Sequence, residues 1–298
     1  MRILLLYSFL FAGLSICRSQ SLNEFDQWAL RVGWDGITPW QFFINTAPAT
    51  LGPNALPPPR LQQGRVKNDW KLELRPEYHF GSGDRTYDFF SRIYVPIVQD
   101  KVALELFWVA FESYDMDTDI RDLRNARTSD GKGVSIGDIH ISTIIQLLRD
   151  HPSLPDVTLN ISIKTASGEK LDDARYTDAP GYYFDFSAGK TLSLNQEGTQ
   201  ALRWHLMAGF YVWQIYDITQ RQNDALSYGG GIDWFLGKWK LGASLAGYLG
   251  YIDNGDKPLI LESVLQFTPG KFSPSIGYRN GLNDYPYQTI FAAATITF

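Results

Sequence analysis

Alternation of apolar and polar side chains with a period of two recurs along most of this 298-residue chain, and it constrains the fold more than any other feature. The cleanest stretch is VTLNISIK at 157–164, and DWKLELRPEYHF at 69–80 sets an ionisable residue at every second position from Lys71 to His79. Successive side chains of a β-strand point to opposite faces, so each such stretch has one apolar and one polar face. The pattern predicts an all-β chain.

From Val66 onward there are about twelve alternating segments of roughly ten residues, the length a tilted strand needs to cross a bilayer. In a soluble sandwich their apolar faces would press together between two sheets, whereas in a transmembrane barrel they would face lipid. No second core-forming layer is visible in the sequence. We therefore predict that residues 66–298 form a closed antiparallel transmembrane β-barrel of about 12 strands with up-and-down topology. The segments lie near 69–80, 87–96, 102–110, 134–148, 157–163, 182–189, 202–212, 226–234, 239–249, 258–267, 272–280 and 286–298.

The composition is compatible with such a barrel. Mean hydropathy is only −0.19 with 20% charged residues, because polar lumen and loop residues dilute the lipid-facing ones. No internal run of about 18 apolar residues is present, which excludes a helical membrane protein. The net charge of −5 and the lack of a basic cluster argue against nucleic acid as a partner.

Residues 1–20, MRILLLYSFLFAGLSICRSQ, have the pattern of a secretory signal peptide: Arg2, an apolar run from Ile3 to Ile16 and a polar end. They predict export, and with the barrel they predict the outer membrane of a Gram-negative cell. The only cysteine, Cys17, lies in this stretch. A lipid attachment site there is disfavoured by the bulky Ile16 before it. Removal of residues 1–20 would leave a mature chain without disulfides.

The connections between segments also fit an outer-membrane barrel, which has short periplasmic turns and longer outside loops. Outside connections are predicted near 81–86, 113–133, 169–181, 216–224, 253–257 and 281–285, and inside ones near 97–100, 150–155, 190–198, 236–238 and 268–271. Trp and Tyr near several segment ends predict aromatic girdles at the two lipid headgroup regions. The closing TITF, with Phe298, resembles the signal recognised by the barrel assembly machinery, which is a predicted partner beside outer-membrane lipid.

Residues 21–65, which we name the N-terminal segment, lack sustained alternation and are rich in aromatic residues and proline. No helix of any length is predicted there, and Pro57-Pro58-Pro59 is incompatible with a central strand. The aromatic content argues against a fully solvated tail. The segment is therefore a candidate lumen plug; the alternatives are that it crosses the barrel mouth or hangs free.

An inward polar face assigns many charged side chains of both signs to the lumen. Opposite charges on neighbouring strands can pair, so these residues either brace the interior or shape a path for a small-molecule solute. The four histidines show no metal-ligand spacing and no phosphate-binding loop is present, so neither a metal nor a cofactor is predicted. The predicted lumen-lining residues are Glu73, Arg75, Glu77, His79, Arg92, Glu105, Asp138, His140, Lys164, Asp185, Arg203, His205, Asp233, Lys240, Glu262 and Arg279.

Two smaller motifs have competing interpretations. Gly229-Gly230-Gly231 lies within a predicted strand, where glycines mark a bend or the close approach of another segment. His140 and Ser142 share one face of a strand, and the pair resembles the His-x-Ser arrangement of outer-membrane lipid hydrolases, in which His activates Ser. Thr143 stands where those families have asparagine, and no third orienting group is evident.

Residues 135–298 resemble the outer-membrane barrel family named for the MetA-pathway of phenol degradation. The resemblance rests on Gly137-Asp138 before an alternating strand, on ISIKTASG at 161–168, and on the order of SYGGGIDW at 227–234, SPSIGYRNG at 273–281 and the final TITF. It implies an outer-membrane protein that moves small, often hydrophobic, compounds. The predicted function is a channel or transporter and not an enzyme; the alternatives are a lipid hydrolase using His140 and Ser142, or a structural or adhesive barrel using the polar loop at 113–133.

Overall fold

A computed structural model describes residues 23–217 and 219–298, so the predicted signal peptide and Cys17 lie outside the described residues. Thirteen strands form one antiparallel sheet. The strands are β1 Lys71–Gly81, β2 Asp84–Val98, β3 Val102–Met116, β4 Lys132–Ser135, β5 His140–Leu148, β6 Asp156–Lys164, β7 Gly181–Ser193, β8 Gln200–Gln214, β9 Gln222–Leu236, β10 Trp239–Gly250, β11 Leu259–Phe267, β12 Phe272–Asn283 and β13 Gln288–Thr297.

The sheet closes on itself because β1 pairs with both β2 and the last strand, β13. Every other strand except β4 and β5 pairs with its neighbours in sequence, which is the up-and-down topology predicted. Pro76, which cannot donate to a ladder, lies where the β1–β13 pairing is interrupted between Leu74 and Glu77. The prediction of a closed antiparallel barrel is confirmed.

One predicted segment is divided in two. The stretch near 134–148 becomes the short β4 and the longer β5, which pair with the two ends of the same neighbour, β3. Together they fill one position in the wall, so the barrel has twelve strands and β4 is an extra short one. The wall also begins at Lys71 and not at Val66, because residues 66–70 cross the barrel rim before β1.

Apolar side chains cover the outside of the barrel and polar ones face inward. Along β6, Ile161 is 48% exposed while its neighbours Asn160 and Ser162 are each 1% exposed. Aromatic rings lie near both ends of the strands, as the Trp239–Phe267 pair (ring centroids 4.6 Å apart) and the Tyr78–Tyr87 pair (4.4 Å) show. An apolar outer surface on a closed cylinder requires an apolar solvent, which is the arrangement predicted for a bilayer.

The connections differ between the two ends of the barrel. One end, the short-turn end, carries the turns at 99–101, 237–238 and 268–271 together with the C-terminus. The other, the long-loop end, carries the connections at 117–131, 165–180 and 251–258. The alternation between ends agrees with the predicted order of connections.

The N-terminal segment contains a helix, α1 Glu24–Val32, which corrects the prediction of no helix there. The Asn23 side chain accepts a hydrogen bond from the Asp26 N–H, and Gly33 ends the helix in the left-handed conformation at φ 68°. One face is apolar and packs on the core inside the long-loop end through Phe25, Trp28, Ala29 and Val32. A short helix, α2 Thr118–Leu123, and two 3₁₀ turns complete the helical structure of residues 23–217 and 219–298, where no helix combines the length and the apolarity needed to cross a membrane.

The N-terminal segment runs along the inside of the barrel from one end to the other. At the short-turn end, the Gly64 carbonyl accepts a hydrogen bond from the Gln146 side chain over 2.8 Å. Nearer the long-loop end, the Tyr248 hydroxyl donates to the Leu56 carbonyl over 3.1 Å. At the long-loop end, the Trp28 indole N–H in α1 donates to the Asn125 carbonyl over 2.7 Å. The segment thus occupies much of the interior and leaves α1 against the loop at 117–131.

Candidate functional site: a charged cavity inside the barrel

The strands and the N-terminal segment enclose a cavity of about 440 Å³. Its lining begins at Lys71 and Lys240, close to the short-turn end, and reaches Tyr285 in a connection at the long-loop end. This volume falls in the range of cavities that hold small molecules. The cavity therefore follows most of the length of the barrel.

The cavity lies to one side because the N-terminal segment packs against the opposite wall. Thr158 and Asn160, which face inward from β6, are 0% and 1% exposed. On β11, by contrast, the inward Glu262 side chain retains 33% of its accessible surface. At Gly229 on β9, an added Cβ would lie 2.7 Å from Leu61 Cδ2, so the segment approaches the wall there as the glycine run predicted.

Seven alternating charges form a continuous chain along this side of the interior. Arg92 joins Glu105 (Nε to Oε2, 2.6 Å) to Glu73 (Nη1 to Oε2, 3.0 Å). Arg75 contacts both Glu73 and Glu77. Arg279 then joins Glu77 (Nη1 to Oε2, 3.0 Å) to Glu262 (Nε to Oε2, 2.6 Å). Residues from β3, β2, β1, β12 and β11 thus pair their buried charges, and the one carboxylate in excess is offset by Arg60, whose Nε lies 3.4 Å from Glu105.

Strand β13 contributes an aromatic ring to this chain in place of a charge. Phe291 lies between β1 and β12, with the Arg75 and Arg279 guanidinium carbons each 4.9 Å from the ring centroid. A cation over a ring face is attracted by the negative π surface. Phe291 therefore bridges the gap between arginines on strands that are not direct neighbours.

A group with metal-ligand chemistry lies behind the cavity, although the histidine spacing did not indicate one. Possible ligand atoms of Glu77, His79 and Asp88 lie within 4.8 Å of one another, and all three side chains are buried. His79 Nε2 is 2.7 Å from Asp88 Oδ2, and Glu77 is already bound by Arg75 and Arg279. The two guanidinium groups already bound to Glu77 would repel a metal ion. We therefore assign Glu77, His79 and Asp88 to structural ion pairs and not to a metal site.

The structure separates the predicted lumen-lining residues into two sets. Those that line the cavity are Glu73, Arg75, Arg92, Asp138, His140, His205, Asp233, Lys240, Glu262 and Arg279. The others form buried contacts away from it: Glu77, His79, Glu105, Lys164, Asp185 and Arg203. Lys164, for example, pairs with Asp138 over 2.7 Å, and Arg203 binds the Gln63 carbonyl and Asp156.

A hydrolase of the predicted kind would need a hydrogen bond between His140 and Ser142. The described part of the chain has no such bond. The Ser142 hydroxyl is 2.6 Å from the Ser162 hydroxyl and has no hydrogen bond with His140. The His140 ring instead stacks on Phe107, with centroids 4.5 Å apart and planes inclined by 12°. An activated serine needs its base within hydrogen-bond reach, so this geometry does not favour hydrolysis.

Four cations of the cavity lining were not among the predicted residues: Arg60, Arg65, Lys67 and Lys71. Arg65, on the N-terminal segment, pairs with Asp150. Lys71 belongs to the alternating stretch at 69–80, so the pattern itself placed it on the ionisable face. Arg60 and Lys67 lie outside any alternating strand, and only the path of the N-terminal segment brings them to the lumen. The sequence contains no signal for that path.

Comparison with solved structures finds outer-membrane proteins that align with this chain. The COG4313 outer membrane channel from Pseudomonas putida F1 is 10% identical, with 78% of this chain and 97% of that chain aligned at a TM-score of 0.51. The KdgM porin aligns over 76% of this chain and 99% of its own at 12% identity with a TM-score of 0.45. The NanC porin aligns over 76% and 100% at 12% identity with a TM-score of 0.48.

No family model matches the chain, and no curated protein matches it. The resemblance to the phenol-degradation barrel family is therefore not confirmed. What the structure and its similarity to a solved barrel define is the class of fold: a closed antiparallel β-barrel, as in the COG4313 outer membrane channel.

Proposed function

We propose that this protein is an outer-membrane channel or transporter for small molecules, in which the N-terminal segment acts as a plug. The observation that carries the proposal is the cavity between that segment and the wall formed by β10 to β13 and β1. It follows the barrel axis and is lined by charged side chains, which suits a polar solute path in a barrel whose outside is apolar.

We further propose that the short-turn end faces the periplasm and the long-loop end faces the cell exterior, as in other barrels of this kind. The signal peptide predicted at residues 1–20 supports export. The sequence resemblance of residues 135–298 to the phenol-degradation barrel family supports a small, partly apolar solute. Phe298 at the short-turn end, which is 67% exposed, is available to the assembly machinery.

The plug role is supported by the contacts that hold the N-terminal segment in place. Asn54 donates to Asp88 over 2.6 Å, Gln63 contacts Asp233, and the Gln63 carbonyl accepts from Arg203 over 2.6 Å. Each contact satisfies a buried polar group of the wall, so the segment is bound to the interior and is not merely enclosed by it.

Planar-bilayer recording tests the proposal. The full-length barrel is expected to give small or intermittent currents, because the segment narrows the lumen. A variant lacking residues 23–65 is expected to give a several-fold larger conductance. If neither protein conducts after correct insertion, shown by resistance of the barrel to added protease, the channel proposal is wrong.

A further inference from the structure

The cavity lining contains a surplus of positive charge. Each of its carboxylates already has a cationic partner: Glu73 has Arg92 at 3.0 Å, Glu262 has Arg279 at 2.6 Å, and Asp138 has Lys164 at 2.7 Å. The remaining one, Asp233, lies 3.9 Å from Lys240 and also accepts a hydrogen bond from Gln63. No carboxylate of this lining is left to neutralise a further cation.

Two lysines at the short-turn end lack such a partner. Within the described part of the chain, no carboxylate oxygen lies within 4 Å of the ammonium nitrogen of Lys67 or of Lys71. Lys67 lies in the rim-crossing stretch and Lys71 is the first residue of β1, and both line the cavity with Lys240. Three ammonium groups therefore share one mouth of the cavity and repel one another.

A fourth cation lies deeper on the N-terminal segment. The Arg60 Nε is buried without a hydrogen-bond partner and lies 3.4 Å from Glu105, a carboxylate that Arg92 already holds at 2.6 Å. The Arg60 guanidinium sits 5.5 Å from the ring centroids of both Phe90 and Phe107. Its charge is thus stabilised by one carboxylate, which it shares with Arg92, and by two aromatic faces.

Unpaired cations in a poorly hydrated cavity are costly unless an anion accompanies them. We propose that the cavity binds a small organic anion, with a carboxylate held by Lys67, Lys71 and Lys240 and an apolar or aromatic body that extends inward along the cavity, towards Phe90 and Phe291. The inference deepens the proposed function, on which it rests for the idea that the bound anion is also the transported solute. A guanidinium beside two aromatic rings suits a flat conjugated body better than a compact inorganic ion.

Binding to the intact barrel in detergent tests the site directly. Benzoate is the probe, and benzamide is its uncharged counterpart of nearly equal shape. We expect calorimetric titration to show benzoate binding at least about tenfold more tightly than benzamide, a difference of about 1.4 kcal/mol. Equal affinities, or no benzoate binding at millimolar concentration, would overturn the anion site.

Substitution of the cavity lysines tests where benzoate binds. The double variant Lys67→Gln/Lys71→Gln should weaken benzoate binding by about tenfold or more, while the matched variant Lys101→Gln/Lys271→Gln, at exposed positions of the same end, should not. Circular dichroism establishes that both barrels are folded. Arg60→Gln provides a second route to the same result, and unchanged affinity in both cavity variants would show that the probe binds elsewhere.

Failure of this inference differs from failure of the channel proposal. If benzoate binds as expected but neither the full-length barrel nor the variant lacking 23–65 conducts, the anion site stands and transport is wrong. If the barrel conducts but prefers cations, and benzoate does not bind, the channel stands and the anion site is wrong.

Discussion

Arg175 Nη1 and Asp84 Oδ2 lie 2.6 Å apart, and both side chains are almost completely shielded from solvent. Arg175 comes from the connection between β6 and β7, and Asp84 begins β2. Asp84 Oδ2 also accepts from Arg124 Nη1 over 2.7 Å and from the Tyr287 hydroxyl over 2.8 Å. One carboxylate thus joins three connections of the long-loop end, and Arg124 Nη2 donates to the Leu51 carbonyl of the N-terminal segment over 3.4 Å.

Removal of this carboxylate is expected to loosen the long-loop end. Asp84→Asn leaves two buried guanidinium groups without their shared anion, so the free energy of unfolding should fall by about 3–5 kcal/mol. The control is Asp115→Asn, whose exposed pair with Lys132 at 3.1 Å should cost no more than about 1 kcal/mol. Urea unfolding in lipid vesicles measures both. Equal losses would show that the Asp84 cluster is not a major stabilising element.

The barrel could be predicted because its pattern is local. Period-two alternation fixes which side chains share a face, so Ile161 and Asn160 were placed on the correct faces from sequence alone. The ion-pair chain could not be predicted in detail. Glu77 and Arg279 are 202 residues apart, and alternation states neither the depth of a side chain in the lumen nor its partner.

The N-terminal segment shows a different limit. The spacing of Phe25, Trp28, Ala29 and Val32, between Asn23 and Gly33, is typical of a helix, and the prediction of no helix there was wrong. Its path through the lumen has no local signal, because each contact joins it to a distant strand. That Lys67 and Lys71 lack carboxylate partners could not be predicted either, because it depends on which side chains the folded barrel brings together.

The apolar outer surface predicts a position-specific cost of charge. Ile161→Arg, near the middle of β6, should lower the free energy of unfolding by about 2–4 kcal/mol, because the arginine would enter hydrocarbon. Leu123→Arg is a matched control, since Leu123 is similarly exposed at 56% but lies in α2 among the loops. There the effect should stay within about 0.5 kcal/mol. Unfolding in vesicles with equal costs at the two positions would contradict burial of β6 in a bilayer.

The path of the N-terminal segment predicts that its first part, around α1, reaches the cell surface. Ile37, which is 89% exposed, follows α1 at the long-loop end. Cys17 is the only cysteine of the sequence and would be removed with the predicted signal peptide, so Ile37→Cys would then give a single labelling site. A membrane-impermeant maleimide should label it on intact cells.

Lys271→Cys, in a turn at the short-turn end, is the control for that experiment. It should be labelled only after the outer membrane is permeabilised. Labelling of Lys271→Cys but not Ile37→Cys on intact cells would reverse the proposed orientation. Protection of both positions would show that the segment does not emerge at the surface.

The environment of Lys67, outside the strands, predicts a pH dependence of anion binding. Burial, followed by the positive charges of Lys71, Arg203, Arg65 and Lys240, lowers the pKa of Lys67 from 10.5 to about 8. Below that value the ammonium group is charged and attracts an anion; above it the amine is neutral. Benzoate stays ionised throughout, so its affinity should fall as pH rises from about 7 to about 9.

The lowered pKa of Lys67 also makes stability depend on pH, in the direction opposite to that of anion affinity. Between about pH 8 and pH 10.5 the unfolded chain holds a proton on Lys67 that the folded protein has released, so the free energy of unfolding of the ligand-free barrel should rise with pH across this window. Lys67→Met should remove both effects, whereas Lys101→Met, at an exposed turn, should retain them. Calorimetric titration with benzoate across the pH series decides the matter. An affinity that does not change with pH in the unsubstituted protein would mean that Lys67 does not contact the anion.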